Sequence, residues 1–321
     1  MKKILLICPF FGKLPKEYFQ LILNSCKRNN TIDWLLITND RTEYSYPDNV
    51  KVKYEDWKAF SSNVKCKLKK LTNVDVFLER PYKLCDYKPI YGLIFSKYTK
   101  KYDYWGYTDL TDVIYGNLRE FLTDNVLKYD KVNFLGHLTL YRNTKNVNSR
   151  VLLPLPSGKS IKEILATNKN MAFDESIKNG IQGIYNERNF SFIIVKNMVA
   201  DISPMRYAFQ LSCFDDRFHQ YYEKYKNRIF CYDNGKLYSA FIYNGRVLFK
   251  EYGYIHFQKR KMNNFLNFDD CNKYLIIPSG FMNMTEINSS LIRRNCRKKL
   301  YLPFFKLKWK AFKEKLKVDN R

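Results

Sequence analysis

Apolar residues near the start of the chain fall into two short blocks with a helically spaced stretch between them. Ile4 to Ile7 is an apolar run closed by Cys8-Pro9, which predicts a buried strand over residues 3–8. Over 16–28, Tyr18, Phe19, Ile22, Leu23 and Cys26 share one helical face. Trp34 to Thr38 is a second buried strand. Strand, helix and strand within about 40 residues predict a βαβ opening and a parallel sheet with covered faces. Ligands of such sheets bind beyond the carboxyl ends of the strands. Those ends are Pro9, Phe10, Phe11 and Gly12, then Thr38, Asn39 and Asp40. No Gly-x-Gly-x-x-Gly follows the first strand, so the dinucleotide fingerprint is absent.

Further along, the pattern predicts helices over 61–71, 84–100, 117–128 and 160–167, and strands over 132–135 and 190–196. Residues 102–116 read as an aromatic and β-branched strand region interrupted by Asp109 and Asp112. From Ile229 to Phe257 the period changes to hairpins, with Asp233-Asn234-Gly235 and Tyr243-Asn244-Gly245 as tight turns. A last strand covers Tyr274 to Ile277. The pattern predicts an α/β fold: a mixed, mainly parallel sheet flanked by helices, followed by a β-hairpin meander. The expected division is one domain over 1–280, with halves at about 1–120 and 121–280, and a tail over 281–321.

Composition adds an anionic partner. The net charge is +25, with 17% aromatic residues that line pockets for rings as well as cores. The tail from Leu291 to Arg321 holds twelve Lys/Arg against Glu314 and Asp319, a net of +10. There Phe305, Trp309, Phe312 and Leu316 form one stripe surrounded by lysines, the pattern of a helix lying on an anionic membrane surface through residues 300–318. Packing of the same stripe onto the domain is the competing reading. Eight cysteines without Cys-x-x-Cys spacing argue against zinc and fit a reducing compartment. No run of about 18 apolar residues occurs, so the expected location is the cytoplasm or the inner face of the membrane.

Two sites carry candidate chemistry. Asp109 and Asp112 at a strand end suit a hard divalent cation, Mn²⁺ or Mg²⁺, although spacing alone favours solvated residues that cap the following helix. His256 closes an apolar run and precedes Lys259, Arg260 and Lys261, a grouping that can serve a metal and its phosphates. Together with Cys8-Pro9-Phe10-Phe11-Gly12, Leu84-Cys85-Asp86-Tyr87-Lys88-Pro89, Tyr104-Trp105-Gly106-Tyr107-Thr108-Asp109, Gly136-His137, Phe173-Asp174-Glu175 and Tyr254 to Lys261, these blocks resemble the GT-A type of nucleotide-sugar glycosyltransferase. More closely, they resemble a bacterial family of unknown function found with capsule and surface-polysaccharide genes. The resemblance covers roughly residues 1–265.

The resemblance implies a nucleotide-sugar donor, with UDP-sugars the commonest in such families. It implies that the first strand ends hold base and ribose, that Asp86 and Lys88 face ribose and diphosphate, and that Asp109 and Asp112 act as the paired acids of the metal motif. That motif has one residue between its acids; here two intervene. His256 would be the last metal ligand, and Lys259, Arg260 and Lys261 would steady the departing diphosphate. Asp174 and Glu175 are the candidate general bases of an inverting reaction and equally suit a helix N-cap with a first-turn acid, and His137 is a candidate substrate contact or a structural residue. The acceptor would be a saccharide, and a lipid-linked one suits the inner membrane face. A nucleic-acid-binding protein and a noncatalytic relative are the alternatives; no finger, RNP-like or helix-turn-helix pattern favours the former.

Overall fold

A computed structural model describes residues 1–225, 227–258, 260–267 and 272–297, and residues 302, 304, 305 and 309 of the tail. The chain divides into two compact units. One comprises Met1–Thr111 and Arg119–Lys196; the other comprises Asp112–Leu118 and Asn197–Arg321.

The first unit is built on a seven-stranded sheet. Strands β1 (Ile4–Phe10), β2 (Ile32–Thr38), β3 (Val50–Tyr54) and β4 (Tyr104–Thr108) run parallel in the order β3-β2-β1-β4. Helix α1 (Phe19–Lys27) links β1 to β2, as the spacing predicts. Helix α2 (Trp57–Thr72) starts at Asp56, whose side chain accepts from the Ala59 amide, and ends at Asn73 with φ 54°. Beyond β4 the next two pairings are antiparallel and the last, of Lys131–Leu135 with Phe192–Ile193, is parallel. Strands Leu138–Arg142 and Lys131–Leu135 are joined through Gly136-His137, a connection too short for a parallel crossover. One face of the sheet packs Leu5, Ile7, Leu35, Ile37, Trp105 and Tyr107 into an extensive apolar core. Gly92 is required by that core, since a Cβ there would lie 2.4 Å from the Trp105 ring.

The helix expected over 84–100 is replaced by a 3-10 helix, Pro81–Ile90, and two single turns, Tyr91–Ile94 and Ser96–Thr99. Pro89 has no N–H to give an α-helical ladder, which accounts for the tighter winding before it. The helix expected over 117–128 is confined to Leu118–Phe121, and the strand over 190–196 to Phe192–Ile193.

The second unit holds a six-stranded sheet, a three-stranded one and a two-stranded one, Ser212–Phe214 with Gln220–Tyr222. In the six-stranded sheet, both Asn-Gly turns form as expected. Asn234, Gly235, Asn244 and Gly245 all have positive φ, the condition for type I′ turns between right-twisted strands. The three-stranded sheet places Tyr254–His256 between Val113–Tyr115, antiparallel, and Val199–Asp201, parallel. Over all described pairs of strands, eight are antiparallel and six parallel. The fold is therefore mixed α/β, and the expectation of a mainly parallel sheet is corrected: parallel pairing is concentrated in β1–β4, and the meander adds hairpins.

Candidate functional site

In the first unit, several of the candidate side chains gather at the carboxyl end of β4. The Thr108 hydroxyl donates to the His137 carbonyl at 2.8 Å, which ties the strand end to the Gly136-His137 connection. Lys88, from the 3-10 helix, reaches the same place. Its Nζ donates to Asp109 Oδ1 at 2.8 Å and to the Gly136 carbonyl at 2.9 Å, and lies 3.7 Å from Asp174 Oδ2. Burial opposes the charge on Lys88, but Asp109 and Asp174 outweigh it and hold the ammonium well above the ordinary lysine range. Asp174 goes the other way. Its burial pushes the carboxyl up to about 8, with Lys88 opposing and Glu175 and Asp109 adding to the rise. Glu175 beside it is exposed. Gly136 leaves room for both acids: a Cβ there would lie 2.4 Å from Glu175 Oε1 and 2.5 Å from Asp174 Oδ2. His137 itself is buried.

Asp86 does not face a ligand. It is fully buried, and its oxygens accept from Lys83 Nζ at 2.7 Å, from the Phe173 amide at 2.9 Å and from the Met171 amide at 2.9 Å. The ribose role expected for it is corrected on that ground: Asp86 pins the segment that delivers Asp174 and Glu175. Lys88 likewise spends its charge on two carboxylates instead of standing free for a diphosphate.

The ends of β1 and β2 are fastened to each other. The Gly12 amide donates to Asn39 Oδ1 at 2.9 Å, and Asp40 accepts from the Leu14 amide at 2.8 Å and the Thr42 hydroxyl at 2.8 Å. These bonds, working against burial, lower the Asp40 carboxyl to about 2. Thr38 is buried, its hydroxyl accepting from the Asp40 amide. Phe11 packs against Trp57 and Phe60, with ring centroids 5.1 and 4.7 Å away, so it belongs to the core. Pro9 and Phe10 are half-buried, and Gly12 and Asn39 are exposed.

In the second unit, the three-stranded sheet collects another cluster. His256 Nδ1 meets Asp201 Oδ1 at 2.8 Å, and His256 Nε2 faces Asp112 Oδ2 at 3.5 Å. The Gln258 amide donates to both Asp201 oxygens at 2.9 Å, which fixes that carboxylate. Burial disfavours the imidazolium, but Asp112 and Asp201 overcome it and raise the His256 pKa to about 10. A carboxylate behind one ring nitrogen, with the other nitrogen turned to a second carboxylate, is the donor set that orients a metal-binding histidine. Asp112 and His256 are candidate ligands for a divalent cation only once the imidazolium gives up its Nε2 proton. Asp201 was invisible to sequence reasoning; it lies at the end of a three-residue strand, and only its pairing opposite His256 reveals it.

Of the basic residues after His256, Arg260 is buried and donates to the carbonyls of Ser203, Arg206 and Tyr207. It braces that loop, so its expected diphosphate role is corrected. Lys261 is exposed, and Lys259 lies outside the described residues.

Residues 300–318 lie almost wholly outside the described residues; Leu302, Phe305 and Trp309 are helical and exposed. No helix among the described residues is long and apolar enough to cross a membrane. No curated protein matches the chain. Residues 6–285 match the family described as "Family of unknown function (DUF6625)", and over that span the chain belongs to it.

Proposed function

We propose that the protein is a glycosyltransferase that moves a sugar from a nucleotide-sugar donor, a UDP-sugar in the first instance, to a saccharide acceptor. The observation that carries this reading is the Lys88–Asp109–Asp174 cluster at the carboxyl end of β4. In the order β3-β2-β1-β4, the chain progresses outward in opposite directions on either side of β1. Ligands of open α/β sheets bind at such a switch point, which favours a nucleotide beside the ends of β1 and β4 in a GT-A-like arrangement.

The chemistry needs a base for the acceptor hydroxyl and positive charge for the departing diphosphate. Asp174 suits the first role, because a carboxyl titrating near neutral pH can both take and return a proton. Glu175, exposed beside it, can receive the hydroxyl or pass the proton outward. Asp112 and His256 would hold Mn²⁺ or Mg²⁺, with Asp201 orienting the imidazole; such an ion neutralises charge on a diphosphate. Lys261 is an exposed cation for the same charge. The surface-polysaccharide setting implied by the resemblance suits an acceptor presented at the inner membrane face, with the basic tail on anionic lipid.

The test is a thermal-shift series with UDP-, GDP-, dTDP- and CMP-sugars, with and without Mn²⁺. A donor held only by the folded protein adds roughly 2.7 kcal/mol of stability at one hundred times its dissociation constant. A shift for one nucleotide class that grows with Mn²⁺ is expected. Absence of a shift with every donor would remove the transferase reading.

A further inference from the structure

We infer that the first unit carries a lysine-rimmed apolar pocket that seats part of an acyl chain of an acidic phospholipid, with the phosphate held by the rim. The pocket has a volume of about 310 Å³. Leu5 of β1, Leu35 of β2, Tyr98 and Tyr102 make its wall. It is separate from the candidate site. Leu5 lies five residues before the end of β1, roughly 16 Å along a strand from the Phe10–Gly12 end.

Its rim is the unusual part. Lys51, Lys97, Lys100 and Lys101 all border the opening, and all four are exposed. None of the four makes an ion pair with a carboxylate among the described residues. Asp33, beside the wall, accepts from the Tyr102 hydroxyl. Lys97 lies over the Tyr98 ring at 4.8 Å and Lys101 over the Tyr102 ring at 5.3 Å. The aromatic faces thus keep two ammonium groups at the mouth. Four unneutralised cations around an apolar recess repel one another, and a single anion with an apolar extension relieves the repulsion while filling a recess floored by the buried side chains of Leu5, Leu35 and Tyr102. An acidic phospholipid has that chemistry. A free phosphate would meet the lysines and leave the wall wet, and a zwitterionic lipid would fill the wall and leave the charge unanswered.

The experiment titrates the full chain with three probes by calorimetry. They are dihexanoylphosphatidylglycerol below its micelle concentration, dihexanoylphosphatidylcholine, which has the same chains without net charge, and glycerol phosphate, which has the charge without the chains. Saturable binding of one phosphatidylglycerol per chain, weakened roughly tenfold or more by Lys97→Glu with Lys100→Glu, is the expected result. The double substitution leaves the basic tail intact, so unchanged affinity would assign the binding elsewhere and overturn the inference. Glycerol phosphate or the phosphatidylcholine binding as tightly as the phosphatidylglycerol would overturn it too. None of these outcomes depends on the transferase reading.

Discussion

Asp174 shows how a single carboxyl acquires chemistry from burial. Its pKa is pushed from 3.8 to about 8, chiefly by desolvation, with Lys88 restraining the rise. Between these values the folded chain keeps a proton that the unfolded chain has lost. The stability this group contributes is therefore complete below about pH 4 and is lost as pH rises through about 8. Asp174→Asn keeps the shape and removes the titration. Melting curves from pH 5 to 9 should fall more steeply for the natural protein than for the variant. The separation at the alkaline end should be about 1–3 kcal/mol, the range of ordinary single substitutions. Parallel curves would mean that the carboxyl is ionised throughout. The sequence displayed Asp174 and Glu175 as an acidic pair, but their unequal environments were not legible in it. Those depend on Gly136 and Lys88, which are distant in sequence and come into place only through the sheet.

At the scale of the element, the 3-10 helix Pro81–Ile90 is held by an ion pair that the sequence does not announce. Lys83 and Asp86 are both fully buried and 2.7 Å apart, and Lys83 also donates to the Lys169 carbonyl. Aromatic spacing at Tyr91, Phe95 and Tyr98 suggested one continuous α-helix, since periodicity reads apolar faces and misses buried charge. The two Asn-Gly hairpins were legible because both the turn and the alternation that fixes their register are local. Breaking a buried pair strands its partner. Asp86→Ala should accordingly cost about 3–5 kcal/mol in urea unfolding. Adding Lys83→Met should restore much of that loss, because the uncompensated ammonium is gone. A cost below about 1 kcal/mol would place the pair among weakly contributing ones. The Met171 and Phe173 amides also rest on Asp86, so the single variant should free the Asp174 segment for faster hydrogen exchange.

Over the whole molecule, the division into two units was the least legible feature. Val113-Ile114-Tyr115 reads as a continuation of the aromatic strand before it, yet it pairs with Tyr254–His256 more than one hundred residues later. No local pattern encodes such a pairing. Charge, in contrast, is read directly from composition, and it is unevenly placed. Of the net +25, +10 lies after residue 290, which leaves +15 for the rest of the chain. If the tail is the main membrane contact, ending the chain at residue 297 removes nine of its twelve cations. Each cation near an anionic surface contributes about 1 kcal/mol. Partition onto vesicles of phosphatidylglycerol and phosphatidylcholine should then weaken by roughly two orders of magnitude or more in low salt. The difference between full-length and shortened chains should shrink as salt rises and the screening length falls below about 10 Å. The melting temperature should hold, since Leu302, Phe305 and Trp309 are exposed and contribute little to a core. Equal partition of both chains at every salt concentration would instead leave membrane contact to the remaining +15, and Lys97→Glu with Lys100→Glu would then become the decisive comparison.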